Sequence, residues 1–167
     1  SGYQDGCVSG VGQFIGVTTN GQLNQISSAG VATALVTDPV TEVSCGHAHQ
    51  VVSVAGTNPR TLAWGWNGSG QLGNGTTVDS ALPTVVSTSQ RFSSLSTGYY
   101  FSGGLDAAGQ LFVWGGNTYG AFGNGTTASS TVPTVSTASP GSGRFQKFAT
   151  GSWHSLALDA AGGIWAW

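Results

Sequence analysis

The stretch WGWNGSGQLGNGTT, from Trp64 to Thr77, returns as WGGNTYGAFGNGTT, from Trp114 to Thr127, an offset of 114 − 64 = 50 residues. Downstream, LDAAGQLFVW from Leu105 returns as LDAAGGIWAW from Leu158, and Arg91-Phe92 returns as Arg144-Phe145, both 53 residues on. Agreement of this length and phase marks an internal repeat, and the repeat is the first thing that decides a fold. Aligning on the glycine that opens each hairpin gives four units, at Gly10, Gly46, Gly98 and Gly151, with the last incomplete at Trp167. The first unit is the most degenerate: GVTTNGQL from Gly16 stands where GLDAAGQL from Gly104 does.

Within each unit the pattern predicts short strands. VVSV at Val51, LFVW at Leu111, SLAL at Ser155 and IWAW at Ile164 are brief apolar or alternating runs bounded by glycine, and no stretch holds a 3.6-residue period. TTNG and the two DAAG segments end at Gly21, Gly109 and Gly162, where a tight hairpin needs positive φ. Asp106 and Asp159 suit the first position of such turns, because a carboxylate there accepts from the turn's backbone amides. Short antiparallel strands in fours, repeating every ~50 residues with fixed glycines and tryptophans, are the signature of propeller blades. The expected fold is therefore all-β: a propeller of four-stranded antiparallel blades, about three to four of them, forming a single repeat domain over 1–167. Nothing in Ser1 to Val8 reads as a strand built to close onto Trp167.

Composition narrows the function. Only Arg60, Arg91, Arg144 and Lys147 are basic, and the formal net charge is −2. Non-specific nucleic-acid affinity comes from neutralised phosphates, so no nucleic-acid partner is expected. No apolar run approaches the ~20 residues that span a bilayer, so no membrane span is expected. SGYQDGCVSG shows neither a basic n-region nor an apolar h-region, so no address signal is visible. A charged fraction of 6%, with abundant Ser, Thr and Gly, favours an extracellular, cell-surface or virion setting over the cytosol.

Catalytic residues are not evident. The acids form no pair at acid–base spacing, no nucleophile elbow or phosphate loop appears, and no cofactor is expected. His47 and His49 alternate onto one face of an expected strand, but a metal site needs three or four converging ligands. Cys7 and Cys45 lie near the starts of equivalent strands in adjacent units, so a disulfide is one reading and a buried free thiol the other. Asn67, Asn74 and Asn124 head sequons and would accept glycans in a secreted eukaryotic protein. Trp66, Tyr99, Tyr100 and Tyr119 fall near loops or strand starts and are the candidate partner-binding residues. Trp64, Trp114, Trp153, Trp165 and Trp167 are assigned by their repetition to packing between blades.

VSCGHAH at Val43, VVSV, and LAWGWNGSGQLGNGTT together resemble the repeat of the regulator of chromosome condensation family, over Gly10 to Trp167. The resemblance implies a β-propeller, usually of seven blades, so this chain would be an open arc or a fragment of a ring of roughly seven. It makes Gly46, His49, Trp64, Gly98, Trp114, Gly151, His154 and Trp167 structural repeat residues, with His49 and His154 hydrogen-bonded to neighbouring blade backbone. It also places Cys45 where the family often has cysteine. Gln13 and Phe101 depart from the histidine position, and Ala121-Phe122 replaces Gln71-Leu72. The function this favours is a non-enzymatic protein-interaction or structural propeller, bound to a protein partner or to copies of itself. Alternatives carried by the same resemblance are a guanine-nucleotide exchange factor and a secreted enzyme inhibitor. Glycan binding through the loop aromatics is a further one.

Overall fold

The computed structural model describes residues 2–138 and 144–167, with fifteen strands and no helix among them. Four antiparallel sheets follow one another along the chain. The first holds β1 (Tyr3–Val8), β2 (Phe14–Thr18), β3 (Leu23–Ile26) and β4 (Ala32–Val36), in that order. The second holds β5 (Val40–Cys45), β6 (His49–Val54), β7 (Arg60–Gly65) and β8 (Ser80–Val85). The third holds β9 (Phe92–Thr97), β10 (Phe101–Asp106), β11 (Leu111–Gly115) and β12 (Ser130–Val135). The fourth has three strands, β13 (Phe145–Thr150), β14 (Ser155–Asp159) and β15 (Ile164–Ala166). Tyr3–Val8, which carries no strand signal in the sequence, is thus the first strand of the first sheet.

Successive sheets touch through their first strands, β1 against β5, β5 against β9 and β9 against β13. These are the innermost strands of propeller blades, and each interface has its own apolar cluster. Ile15, Val17 and Leu23 meet Val52, Val54, Leu62 and Trp64 between the first two blades. Val51, Ala63 and Leu72 meet Phe92, Phe112 and Trp114 between the second and third. Phe101, Leu111, Val113 and Phe122 meet Phe145, Phe148 and Ala157 between the third and fourth. The unbroken apolar run LFVW is explained by this arrangement. Phe112 and Trp114 face the preceding blade while Leu111 and Val113 face the following one, so no position of the strand is left for a polar residue.

The repeating tryptophan is a plug. Trp114 Nε1 donates to the Gln71 carbonyl at 2.9 Å, and Trp167 Nε1 donates to the Ala121 carbonyl at 2.7 Å. The same two carbonyls accept from Ser102 Oγ and Ser155 Oγ. Because the acceptor is backbone, the change from Gln71 to Ala121 leaves the contact intact. The hairpin glycines Gly21, Gly109 and Gly162 take φ of 85°, 78° and 86°. Asp106 Oδ1 accepts from the Ala108 and Gln110 amides, and Asp159 Oδ1 from those of Ala161 and Gly163, so both carboxylates hold their turns.

Inner strands are also joined by one side-chain pair per interface. Ser44 Oγ lies 2.8 Å from Thr97 Oγ1, and Ser96 Oγ lies 2.9 Å from Thr150 Oγ1. Between the first two blades the corresponding place is taken by a disulfide, Cys7–Cys45, with Cα atoms 5.7 Å apart. Both cysteines sit toward the ends of their strands rather than the starts.

Candidate functional site at the corner end of the blades

The site is built on the corners between each blade's first and second strands. Gly46, Gly98 and Gly151 donate their amides to the carbonyls of His49, Phe101 and His154, three residues on. In the first blade Ser9 makes this bond, to Gln13, and the corner holds one residue more. Glycine is required by close approach from two sides. A Cβ on Gly98 would stand 2.4 Å from the Phe101 ring and 2.7 Å from the Gly151 carbonyl, and one on Gly46 would meet His49 and the Gly98 carbonyl likewise. Phe101 therefore replaces histidine without changing the packing, since in both cases a flat ring lies against a glycine. The corners are tied from blade to blade by Gly10 N–H to Gly46 C=O, His47 N–H to Gly98 C=O and Tyr99 N–H to Ser152 C=O.

His49 is fully buried, and its Nε2 lies 2.9 Å from Ser102 Oγ on the next blade, a side-chain partner rather than the backbone partner the resemblance implies. Burial, reinforced by the nearby His47, lowers its pKa to about 3. His154 is exposed, and its ring lies against Gly151. His47 does not share a strand face with His49: it occupies the bend before β6 and stacks on Tyr99 with ring centroids 3.9 Å apart. Among the described residues no three His, Cys, Asp or Glu side chains converge.

Blade-to-blade tying of the corners brings the candidate aromatics together. Tyr99 is stacked between His47 and Trp153, the latter at 5.2 Å and 15°. Tyr100 meets Tyr99, Trp153 and Trp66 at 4.4, 5.0 and 4.9 Å, and Tyr119 meets Trp153 at 5.0 Å. Trp66 and Tyr119 come from the repeated loops that follow β7 and β11. Three blades thus contribute to one cluster of six rings. Trp153 is its hub: it packs against rings of the preceding blade, as expected, but at the solvent-facing end and not in an apolar joint, being 41% exposed, while Tyr119 is 68% exposed. Trp165 likewise packs within its own hairpin, its Nε1 donating to Asp159 Oδ2 at 2.8 Å.

The loops that carry Trp66 and Tyr119 are held rigid by Asn67 and Asn117. Asn67 Oδ1 accepts from the Leu72 amide and its Nδ2 donates to the Thr76 and Val78 carbonyls. Asn117 repeats this with Phe122, Thr126 and Ala128. Asn67 is completely buried and its amide is spent on these bonds, which leaves the folded loop no room for a glycan there.

Charge is segregated along the blades. Arg60, Arg91, Arg144, Asp38, Asp106 and Asp159 lie at the opposite end, and Asp5, Glu42 and Lys147 fall within inner strands. Of the ten charged side chains only Asp79 is at the aromatic end, where it accepts the Asn67 amide at 2.8 Å. Burial and the adjacent Tyr99 push the Tyr100 phenol further above its ordinary value. Below the rings, Gly46, His47, Thr97, Tyr99, Thr150 and Ser152 line a cleft of about 360 Å³.

Four wedge-like sheets stacked through their first strands, with glycine corners and tryptophan plugs, define a segment of β-propeller. The model of the regulator of chromosome condensation (RCC1) repeat matches residues 60–105 and 108–158, and the chain belongs to this family. Among solved structures, human WBSCR16 is similar with a TM-score of 0.81 at 18% identity, over 93% of this chain and 44% of that one. Prp20p of Saccharomyces cerevisiae is similar with a TM-score of 0.73 at 18% identity, over 93% and 43%. The C-terminal domain of gp131 from bacteriophage phiKZ is similar with a TM-score of 0.50 at 15% identity, over 93% and 48%. The chain spans less than half the length of each, and the likeness is one of fold.

Proposed function

We propose that this chain is a non-catalytic binding propeller segment that engages its partner through the aromatic end and works outside the cell or on a particle surface. The observation that carries the reading is the convergence of six rings from three blades at an end with a single charged side chain. Interface hot spots are enriched in Trp and Tyr, and rings fixed by a rigid scaffold lose little entropy on binding. Support for the setting comes from the Cys7–Cys45 bridge, a bond that persists in oxidising compartments, and from the sparse charge. The test is an array of extracellular proteins and glycans probed with the chain and with its Tyr119→Ala/Trp153→Ala variant. A ligand held by the first and lost by the second supports the reading. Ligands held equally by both, or robust substrate turnover, overturn it.

A second reading, nucleotide exchange on a small GTPase, draws on family membership and on Prp20p, for which binding to Gsp1p and histones is described. Acceleration of nucleotide release by the purified chain would favour it over the first.

A further inference from the structure

We infer that the ligand taken by the aromatic end is a neutral saccharide chain. The inference rests on the reading of that end as the binding surface and adds the chemistry of what is bound.

A sugar ring offers a flat patch of C–H groups and a rim of hydroxyls, with no charge. Its ideal site combines aromatic faces with uncharged groups that both donate and accept hydrogen bonds. Both parts are present. Trp153 and Tyr119 are the two most exposed rings of the cluster and meet at 67°, which makes a corner with an aromatic surface on each wall. Tyr99, stacked on Trp153, also lines a cleft of about 360 Å³ whose polar wall is Thr97, Thr150 and Ser152; the first two hydroxyls pair with Ser44 and Ser96 and keep part of their hydrogen-bonding capacity, while Ser152 is exposed. Hydroxyls serve as donor and acceptor alike, as a saccharide rim requires.

Other chemistries fit less well. Phosphate, sulfate and carboxylate groups are recognised by Arg and Lys, and all four of these lie at the far end or within an inner strand. A cationic ligand would gain from nearby carboxylates, and the sole carboxylate side chain of this end is engaged by the Asn67 amide. Protein interfaces of ordinary composition are enriched in Arg as well as in aromatic residues, and this end has no Arg.

The test titrates the chain with soluble cellulose-, chitin- and starch-type oligosaccharides, with a sulfated oligosaccharide as the charged comparison, following tryptophan emission and chemical shifts. At least one neutral saccharide is expected to saturate. Its affinity should fall about tenfold or more in Trp153→Ala and in Tyr119→Ala, the size of a hot-spot truncation, and stay unchanged in Arg91→Ala at the other end. Both aromatic substitutions are at exposed positions, so the variants keep their fold, and their strand signal in circular dichroism checks this. The inference is overturned if no neutral saccharide saturates, if the sulfated chain binds better, or if the aromatic variants bind as the parent does. Loss of a protein ligand in Trp153→Ala without saccharide binding would sink the saccharide and leave the binding-scaffold reading standing. Ring-independent binding of every ligand would sink both.

Discussion

His49 Nε2 and Ser102 Oγ meet at 2.9 Å across the joint between the second and third blades, and the Ser102 hydroxyl donates its hydrogen bond to the Gln71 carbonyl. The imidazole is neutral because it is buried, with a pKa of about 3 against 6.5 in an unfolded chain. A depressed histidine contributes stability that is complete above the unfolded value and is lost as pH falls from 6.5 toward 3, because only the unfolded state takes up the proton. Unfolding free energy should therefore drop by about 1.4 kcal/mol per pH unit from this group alone in that window. Urea melts of His49→Gln, compared with the parent over the same pH range, should show a shallower slope. Parallel slopes would remove the assignment.

The corner glycines are expected to be intolerant for steric reasons rather than conformational ones. Gly98→Ala places a methyl into the Phe101 ring and the Gly151 carbonyl, and should cost about 1–3 kcal/mol as an overpacked joint. Gly2→Ala, with nothing within 4 Å, is the control and should be silent. Denaturant midpoints of the two variants decide the matter.

The loop asparagines should be costly to lose at both copies. Asn117→Ala leaves the Phe122 amide and two carbonyls without their partner, and a loss of about 1–3 kcal/mol is expected, with a similar loss for Asn67→Ala. In a glycosylating host, peptide mass spectrometry should find Asn67 bare. A sugar on Asn67 would contradict its burial.

Cys7–Cys45 can be exchanged for the hydroxyl pair used at the next joint. Cys7→Ser/Cys45→Thr should fold, become indifferent to reductant, and lose about 4 kcal/mol, the chain-entropy value for a crosslink separated by 38 residues. Thermal melts with and without dithiothreitol provide the comparison. Equal melting of the parent in both conditions would show that the bridge adds nothing.

Much of this architecture was legible because the loops repeat more faithfully than the strands. Asn67 and Asn117, with the glycines around them, satisfy backbone groups one by one, so few substitutions are allowed and the copies stay recognisable. The strands need only be apolar, and Tyr3–Val8, with its aspartate and glycine, carries no such mark. Ser9 took the corner role of the first blade because hydrogen bonding fixes the corner, and an extra residue moved the visible glycine one place along. Trp66, Tyr99, Tyr100 and Tyr119 were visible as candidates, but their meeting with His47 and Trp153 was not. Repetition groups Trp153 with the plug tryptophans, whereas its position two residues after a corner glycine puts it on the end of the blade.

The three apolar clusters share no residue, which makes every joint a nearest-neighbour affair. Cohesion in such an array accumulates link by link. A lesion at one seam should loosen the two wedges beside it and spare the others, so evolution can duplicate, delete or reshape a single wedge without re-solving the rest.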